Sequence, residues 1–408
     1  MLKRVVVTGI GGITALGRDW TTIRSYFERG ENAVVHMNDW DRFPELNTRL
    51  AAPILDYQPP AHWTRKQLRS LGPVSLYCVN AAEMALTDAG LLDDATIKDG
   101  RMGVASGSST GSTKDVCDLA QLISLGKSDG FNANTYVRMM PHTTAANIAI
   151  FFSLKGRLIP TSSACTSGSQ AIGYAYEAIK YGRIPMMLAG GGEELCPSES
   201  YVFDALYATS LKNNTPKLTP SPYDAARDGL VIGEGAGMLV LEEYHHAKAR
   251  GAKIYAEIVG FGSNCDGAHI TRPESETMYQ SMKLALEDAA IPPSAIGYVN
   301  GHGTATEQGD IAETVATNRL FGANMPISSQ KSYLGHTLGA CGALESWFSI
   351  AMMNDNYFAA TANLVNIDPR CGELDYIQGS SRYLETDYVM NNNFAFGGVN
   401  TSLVFKRI

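Results

Sequence analysis

Four short stretches hold residue types able to do chemistry together. Cys165 stands in Pro160-Thr-Ser-Ser-Ala-Cys165-Thr-Ser-Gly-Ser169. Ala171, Ile172, Ala175, Ala178 and Ile179 follow at the spacing of one buried helix face. Small hydroxyl residues and Pro160 precede that pattern, as helix starts require. Cys165 is therefore expected at a helix N-terminus, where free N–H groups and the dipole favour an anion. A thiol so placed is expected to have a lowered pKa and to attack as thiolate. A small sulfur packing a strand-to-helix turn fits the position as well, and this stretch alone leaves both roles open.

Two histidines and an aromatic turn complete the set. Asn300-Gly-His302-Gly-Thr304-Ala-Thr306-Glu-Gln-Gly-Asp310 places His302 just after a strand, between glycines. Lys331-Ser-Tyr-Leu-Gly-His336 leads through Thr-Leu-Gly-Ala-Cys-Gly-Ala-Leu to Glu345, with His336 in a turn that opens a helix. Phe394-Ala-Phe396-Gly-Gly398 is an aromatic-glycine turn. A loop histidine is more often a cap or a solvated group than a catalyst. All of these nevertheless follow strand ends, and in α/β sheets such ends converge on one crevice.

The elements that must position them read as alternating strands and helices. Arg4–Thr8 is a β-branched strand, with Gly9–Gly12 as its turn. Helices are expected over 74–90 and 141–152, and strands over 102–105, 186–189 and 236–242. Residues 20–72 and 194–228 read as mixed or irregular. Near Ala252 the pattern restarts, with helices near 277–290, 309–320 and 338–353 and strands at 253–260, 296–300 and 326–329. Two strands around a glycine turn end the chain. The implied organisation is an α/β protein of two similar halves, 1–250 carrying Cys165 and 251–408 carrying both histidines.

Composition narrows the function. The chain has 408 residues, and its net charge of -8 argues against nucleic acid as the main partner. Seven scattered cysteines form no Cys-x-x-Cys and no zinc spacing, so no metal is expected, and the odd count suits a reducing compartment such as the cytoplasm. No run of about 18 apolar residues occurs, so no membrane span is expected. Gly9-Ile-Gly11 lacks the third glycine of a dinucleotide fingerprint, since Thr14 stands there. Gly233-Glu-Gly-Ala-Gly237 leads into a strand, whereas a phosphate cradle leads into a helix.

In this order, Thr-Ser-Ser-Ala-Cys165-Thr-Ser-Gly, Gly-His302-Gly-Thr304-Ala-Thr306, Lys331-Ser-Tyr-Leu-Gly-His336 and Phe-Ala-Phe396-Gly-Gly resemble the type I/II β-ketoacyl-acyl-carrier-protein synthases. So do Asp228 to Tyr244 and Gly251 to Gly262, and the likeness is collinear from residue 2 to the C-terminus. It implies a thiolase fold, two βαβαβαββ halves in five α-β-α-β-α layers, usually as a homodimer. It implies acyl transfer to Cys165, then decarboxylation of malonyl-carrier protein and condensation of the enolate with the Cys165 acyl group. His302 and His336 would donate to the enolate, and the N–H groups of Cys165 and Phe396 would form the oxyanion hole. Lys331 would pair with Glu345 and tune nearby pKa values, with Asp310 behind the site. Thr304 and Thr306 would bind the phosphopantetheine arm and Phe203 would line the acyl pocket. Asp266 and His269 match a loop near its mouth. No cofactor of the chain's own is implied, because the carrier protein brings 4′-phosphopantetheine.

The chain also departs from the family. Ala395 replaces the first glycine of the usual Gly-Phe-Gly-Gly turn, which is expected to restrain the loop. Tyr207 or Ala208 stands where a basic docking residue is common, leaving Arg65, Lys66 and Arg69 for an acidic carrier. These differences leave room for a dedicated polyketide or polyene pathway beside fatty-acid elongation. A thiolase would need a second cysteine where Phe396 stands, and a type III synthase an asparagine where His336 stands. A catalytically dead chain-length partner lacks the nucleophile. The remaining alternative is the active half of a heterodimer with such a partner.

Overall fold

The computed structural model describes residues 2–408. Its main strands are β1 (Val5–Thr14), β2 (Met102–Gly107), β3 (Leu158–Pro160), β4 (Met186–Glu193), β5 (Gly235–Glu243), β6 (Ala256–Cys265), β7 (Tyr298–Asn300), β8 (Pro326–Ser328), β9 (Tyr388–Phe394) and β10 (Val399–Lys406). Between them lie helices α1 (Pro73–Asp88), α2 (Thr143–Phe152), α3 (Ser167–Lys180), α4 (Ser275–Ala289), α5 (Glu307–Phe321) and α6 (Cys341–Asp355). Each half thus runs β-α-β-α-β-α-β-β.

Strand order repeats with the element order. It is β3-β2-β4-β5-β1 in the first half and β8-β7-β9-β10-β6 in the second, with a short strand, Asp375–Tyr376, outside β8. In each half the first three strands are parallel and the last two run antiparallel. Val5–Val7 pairs antiparallel with Ala256–Ile258, joining the two sheets. Helices α1 and α2 cover one outer face, and α4 and α5 the other. Between the sheets lie α3 and α6, each touching strands of both halves. The result is the expected five-layered α-β-α-β-α arrangement.

The glycines of β1 do other work than expected. No turn forms at Gly9–Gly12, and the strand continues to Thr14. A Cβ on Gly9 would lie 2.2 Å from the Ala85 carbonyl oxygen, and one on Gly11 2.1 Å from that of Ala81. These glycines let α1 lie directly on the strand. Gly260 and Gly262 do the same in β6, where a Cβ would come within 2.1 Å of Ala285 O and Ser281 O.

Other boundaries also shift. The last long helix starts at Cys341, after a 3₁₀ turn at Leu338–Ala340. The strand before His302 is confined to Tyr298–Asn300. The segment read as mixed holds a helix, Trp20–Arg29, capped by the Asp19 side chain. The segment read as irregular holds another, Pro197–Asp204. No described helix is long and apolar enough to cross a membrane.

Candidate active site

The two central helices bring the chemistry together. A Cβ on Gly168 would lie 2.9 Å from Ala343 N, and one on Gly342 would lie 2.5 Å from Ser169 N. With glycine at these positions the first turns of α3 and α6 meet backbone to backbone. Each helix is preceded by a 3₁₀ turn, Ala164–Thr166 and Leu338–Ala340. Ala164 (φ 51) and Leu338 (φ 45) both adopt left-handed backbone there, a costly conformation for such residues that clusters at functional sites.

Cys165 lies in the first of these turns, and His336 just before the second. The Cys165 sulfur is 3.0 Å from His336 Nε2. The His302 ring stands perpendicular to that of His336, with centroids 5.1 Å apart. The sulfur and one nitrogen of each histidine lie within 4.8 Å of one another. All three side chains are buried at the base of a cavity of about 440 Å³. Phe203, Thr304, Thr306, His269 and Phe396 also line it.

Protonation follows from the surroundings. Burial pushes the Cys165 thiol up to about 12, although Lys331 and the N–H groups of Phe396 and Cys165 pull the other way. The lowered pKa expected from the helix N-terminus is therefore overturned: desolvation outweighs the dipole, and the resting group is a thiol. Burial, then the Lys331 charge, depresses the pKa of both histidines well below its usual value, so both rings are neutral. The Leu338 N–H donates to His336 Nδ1 at 3.3 Å. His336 therefore carries its proton on Nε2 and points it at the sulfur.

That tautomer also decides the metal question. One sulfur and two imidazoles could surround a soft cation, but His336 Nε2 has no lone pair to offer while Nδ1 accepts. Metal-bound histidines donate through the other nitrogen, usually to a carboxylate or carbonyl. Here a donor occupies that place, so the geometry suits hydrogen-bond donation to a substrate oxygen.

Behind the rings, Lys331 Nζ donates to Glu345 Oε1 at 2.5 Å, and Asn393 Nδ2 donates to Glu345 Oε2 at 2.7 Å. Burial alone would lower the Lys331 pKa, but Glu345, together with Cys341 and Glu313, more than offsets it and the lysine stays charged. This pair predicts a stability signature. Lys331→Met should leave a buried, unpaired acid and destabilise the fold by about 3–5 kcal/mol, with Lys331→Met/Glu345→Gln recovering much of it. Thermal melts of the two variants check this, and equal melting temperatures would refute it.

The loop after β7 is held from below. Asp310 accepts from Ala305 N at 3.1 Å and Tyr223 N at 2.7 Å, and pairs with Arg227 at 3.3 Å. Glu313, one turn on, accepts from His302 N at 2.5 Å and Gly303 N at 2.7 Å. Sequence reading missed Glu313, although its spacing of three from Asp310 on a helix that opens beside His302 was a usable signal. It also missed Cys341, whose thiol donates to the Cys165 carbonyl at 3.2 Å. The hydroxyls of Thr304 and Thr306 lie 2.9 Å apart at the cavity wall.

The aromatic turn closes the cavity from the other side. Phe396 packs on Phe203 with ring centroids 4.9 Å apart. Left-handed backbone falls at Gly397 (φ 84) and Gly398 (φ 72), not at Ala395, so Ala395 is unstrained. Gly397 N donates to Ile270 O and Asp266 N to Gly398 O, both at 2.8 Å. The turn and the loop carrying Asp266 and His269 are thereby stitched into one unit. Arg65, Lys66 and Arg69 are not brought to the cavity; they are exposed around a short helix, Arg65–Leu68, and form no ion pair among the described residues.

Comparison with known proteins gives a uniform result. Residues 2–247 match the family Beta-ketoacyl synthase, N-terminal domain, and residues 255–365 match its C-terminal domain. The chain is 37% identical to 3-oxoacyl-[acyl-carrier-protein] synthase 2 of Vibrio harveyi, over 100% of this chain and 99% of that protein. It superposes with a TM-score of 0.99 on a Beta-ketoacyl synthase from Burkholderia phymatum STM815, at 59% identity and full coverage of both chains. The ishigamide ketosynthase/chain length factor superposes with a TM-score of 0.91 at 28% identity, again over both full chains. On its fold, its motifs and these matches, the chain belongs to the β-ketoacyl synthase family.

Proposed function

We propose that this chain is a 3-oxoacyl-acyl-carrier-protein synthase that joins an acyl group to malonyl-carrier protein with loss of CO₂. The observation that carries this reading is the neutral His336 Nε2–H, 3.0 Å from the Cys165 sulfur and beside a second neutral imidazole. In the first half-reaction Cys165 attacks the acyl thioester. The carrier's pantetheine thiol leaves with the proton that Cys165 gives up, and the acyl group stays on sulfur. The N–H groups of Cys165 and Phe396, which draw the thiol pKa down against burial, receive the transient oxyanion.

In the second half-reaction malonyl-carrier protein occupies the cavity. Its carbon–carboxylate bond breaks, CO₂ leaves, and the electron pair becomes an enolate whose oxygen accepts from His302 and His336. The enolate carbon attacks the acyl carbonyl, the carbon–sulfur bond to Cys165 breaks, and the thiol takes up a proton. Burial, helped by the charge of Lys331 that Glu345 holds in place, keeps both imidazoles neutral and therefore able to donate. Asp310 holds the loop of Thr304 and Thr306, which receive the pantetheine arm with His269 at the mouth. Phe203 and Phe396 border the acyl group. The half before residue 250 supplies the nucleophile and the half after it the two donors. The carrier protein brings the only prosthetic group the reaction needs, and the setting is the cytoplasm.

Two copies of this chain form the working unit in this reading. The likeness to a ketosynthase/chain length factor pair favours a second arrangement, with this chain as the active half of a heterodimer. Intact mass after mixing with acyl-carrier protein tests the core claim, since an acyl adduct on Cys165 is required. A charge-dependent dock is also expected. Reversing Arg65 and Arg69 to Glu should lower kcat/KM for the carrier about tenfold at low salt, and the difference should shrink as salt rises. A salt-independent loss would exclude electrostatic steering at that helix.

A further inference from the structure

One charge at the cavity mouth has no counterpart in the protein. Two arginines line the cavity, Arg227 and Arg272. Arg227 is committed: its side chain is buried between Asp310 at 3.3 Å and Asp368 at 2.7 Å. Arg272 is exposed, and among the described residues its side chain forms no ion pair and no hydrogen bond. The acids around the mouth are taken as well. Asp228 accepts from Leu211 N at 2.9 Å and lies 3.6 Å from Lys212 Nζ. Asp266 accepts from Asn400 Nδ2 at 2.7 Å and from Thr277 Oγ1, and Glu307 pairs with Arg370. The rest of the rim offers exposed apolar side chains, Leu206, Tyr207 and Ile270. A guanidinium cannot shed its charge, so the anion that matches Arg272 has to come from outside the chain.

The loop that carries Arg272 is held in place. Thr271 N and Arg272 N both donate to His269 Nδ1 at 3.2 Å. Gly397 N donates to Ile270 O at 2.8 Å, which ties the same loop to the aromatic turn. Because His269 Nδ1 accepts, the ring proton sits on Nε2. His269 also lines the cavity. One short loop thus brings a neutral N–H donor and an unmatched cation to the mouth.

We propose that Arg272, with the Nε2–H of His269, binds the phosphodiester of the phosphopantetheine arm, and that this pair makes the protein favour a phosphorylated arm over a plain pantetheine one. The inference rests on the acyl-enzyme reading above. With its thioester at Cys165 and its middle beside Thr304 and Thr306, the arm leaves through the mouth. Its one charged group, the phosphate, comes last and meets the rim. Arginine presents parallel N–H donors that match phosphate oxygens, and the apolar rim supplies no competing counter-charge.

The test compares octanoyl-pantetheine with octanoyl-4′-phosphopantetheine as donors to the full-length protein. Acylation of Cys165 is followed by intact mass, at donor concentrations below saturation. The phosphorylated donor is expected to load about fivefold faster at low salt, and the difference should shrink as salt rises because the site is exposed. Arg272→Glu should invert the preference. Arg272→Lys should keep only part of it, since the charge remains and the planar fork does not. His269→Asn keeps an acceptor near the Nδ1 position but loses the Nε2–H, and it should narrow the ratio. Equal loading of the two donors by the unaltered protein overturns the proposal, as does a preference that survives Arg272→Glu. If neither donor acylates Cys165, the acyl-enzyme reading itself fails and takes this one with it.

Discussion

Cys165→Ala is expected to abolish both the acyl adduct and condensation, with a loss of at least about 10⁴-fold. The size follows from the division of labour at the site. Without the sulfur the acyl group has no resting place, and the carbanion meets no electrophile held within bonding distance. The surrounding donors survive, because the His336 tautomer is set by Leu338 N and not by the sulfur. Decarboxylation and condensation should therefore separate. Cys165→Gln puts an amide carbonyl where the thioester carbonyl would sit, within reach of the N–H groups of residues 165 and 396. That side chain imitates the loaded enzyme, so malonyl-carrier protein should still release CO₂ while no longer chain is made. Counting CO₂ and product in the same reaction checks this. Absence of CO₂ from Cys165→Gln would argue against the enolate role of the two histidines.

How much of this was legible in the chain depends on the kind of residue. Cys165, His302, His336 and Lys331 stand in motifs dense with glycine and small residues, and those small residues make the site. Gly168 and Gly342 let α3 and α6 touch, which carries Cys165 to His336 across 171 positions. The repeat was legible because β1 and β6 use the same glycine spacing under a helix. What that spacing meant was misread, since glycine permits close approach as readily as it permits a turn. The thiol pKa was also misread. A sequence displays the helix start that would lower it but not the depth of burial that raises it. Cys341 was missed for a related reason. Its thiol donates to the Cys165 carbonyl, 176 positions away, and no local pattern records such a partner.

The second large effect separates the two histidines. In the proposed reaction each would donate one hydrogen bond to the enolate oxygen, and a donor of this kind is worth about 3 kcal/mol, or roughly a hundredfold in rate. Both His302→Ala and His336→Ala should therefore lower malonyl decarboxylation by about that factor or more. Their effects on the first half-reaction should differ. His336 touches the sulfur, whereas His302 has no hydrogen bond to it. His336→Ala should slow acylation of Cys165 as well, and His302→Ala should load normally and stall afterwards. The pH dependence has a definite sign. Both imidazole pKa values are depressed, by burial and then by Lys331, so the rings stay neutral as pH falls through the usual histidine value near 6.5. Decarboxylation should accordingly hold its rate from pH 7 to below about 6, provided the protein stays folded. A rate that halves near pH 6.5 would mean that at least one ring titrates normally. Unchanged product with His336→Ala beside lost product with His302→Ala would remove His336 from the pair. The Leu338 amide would then be fixing a tautomer that the chemistry never uses.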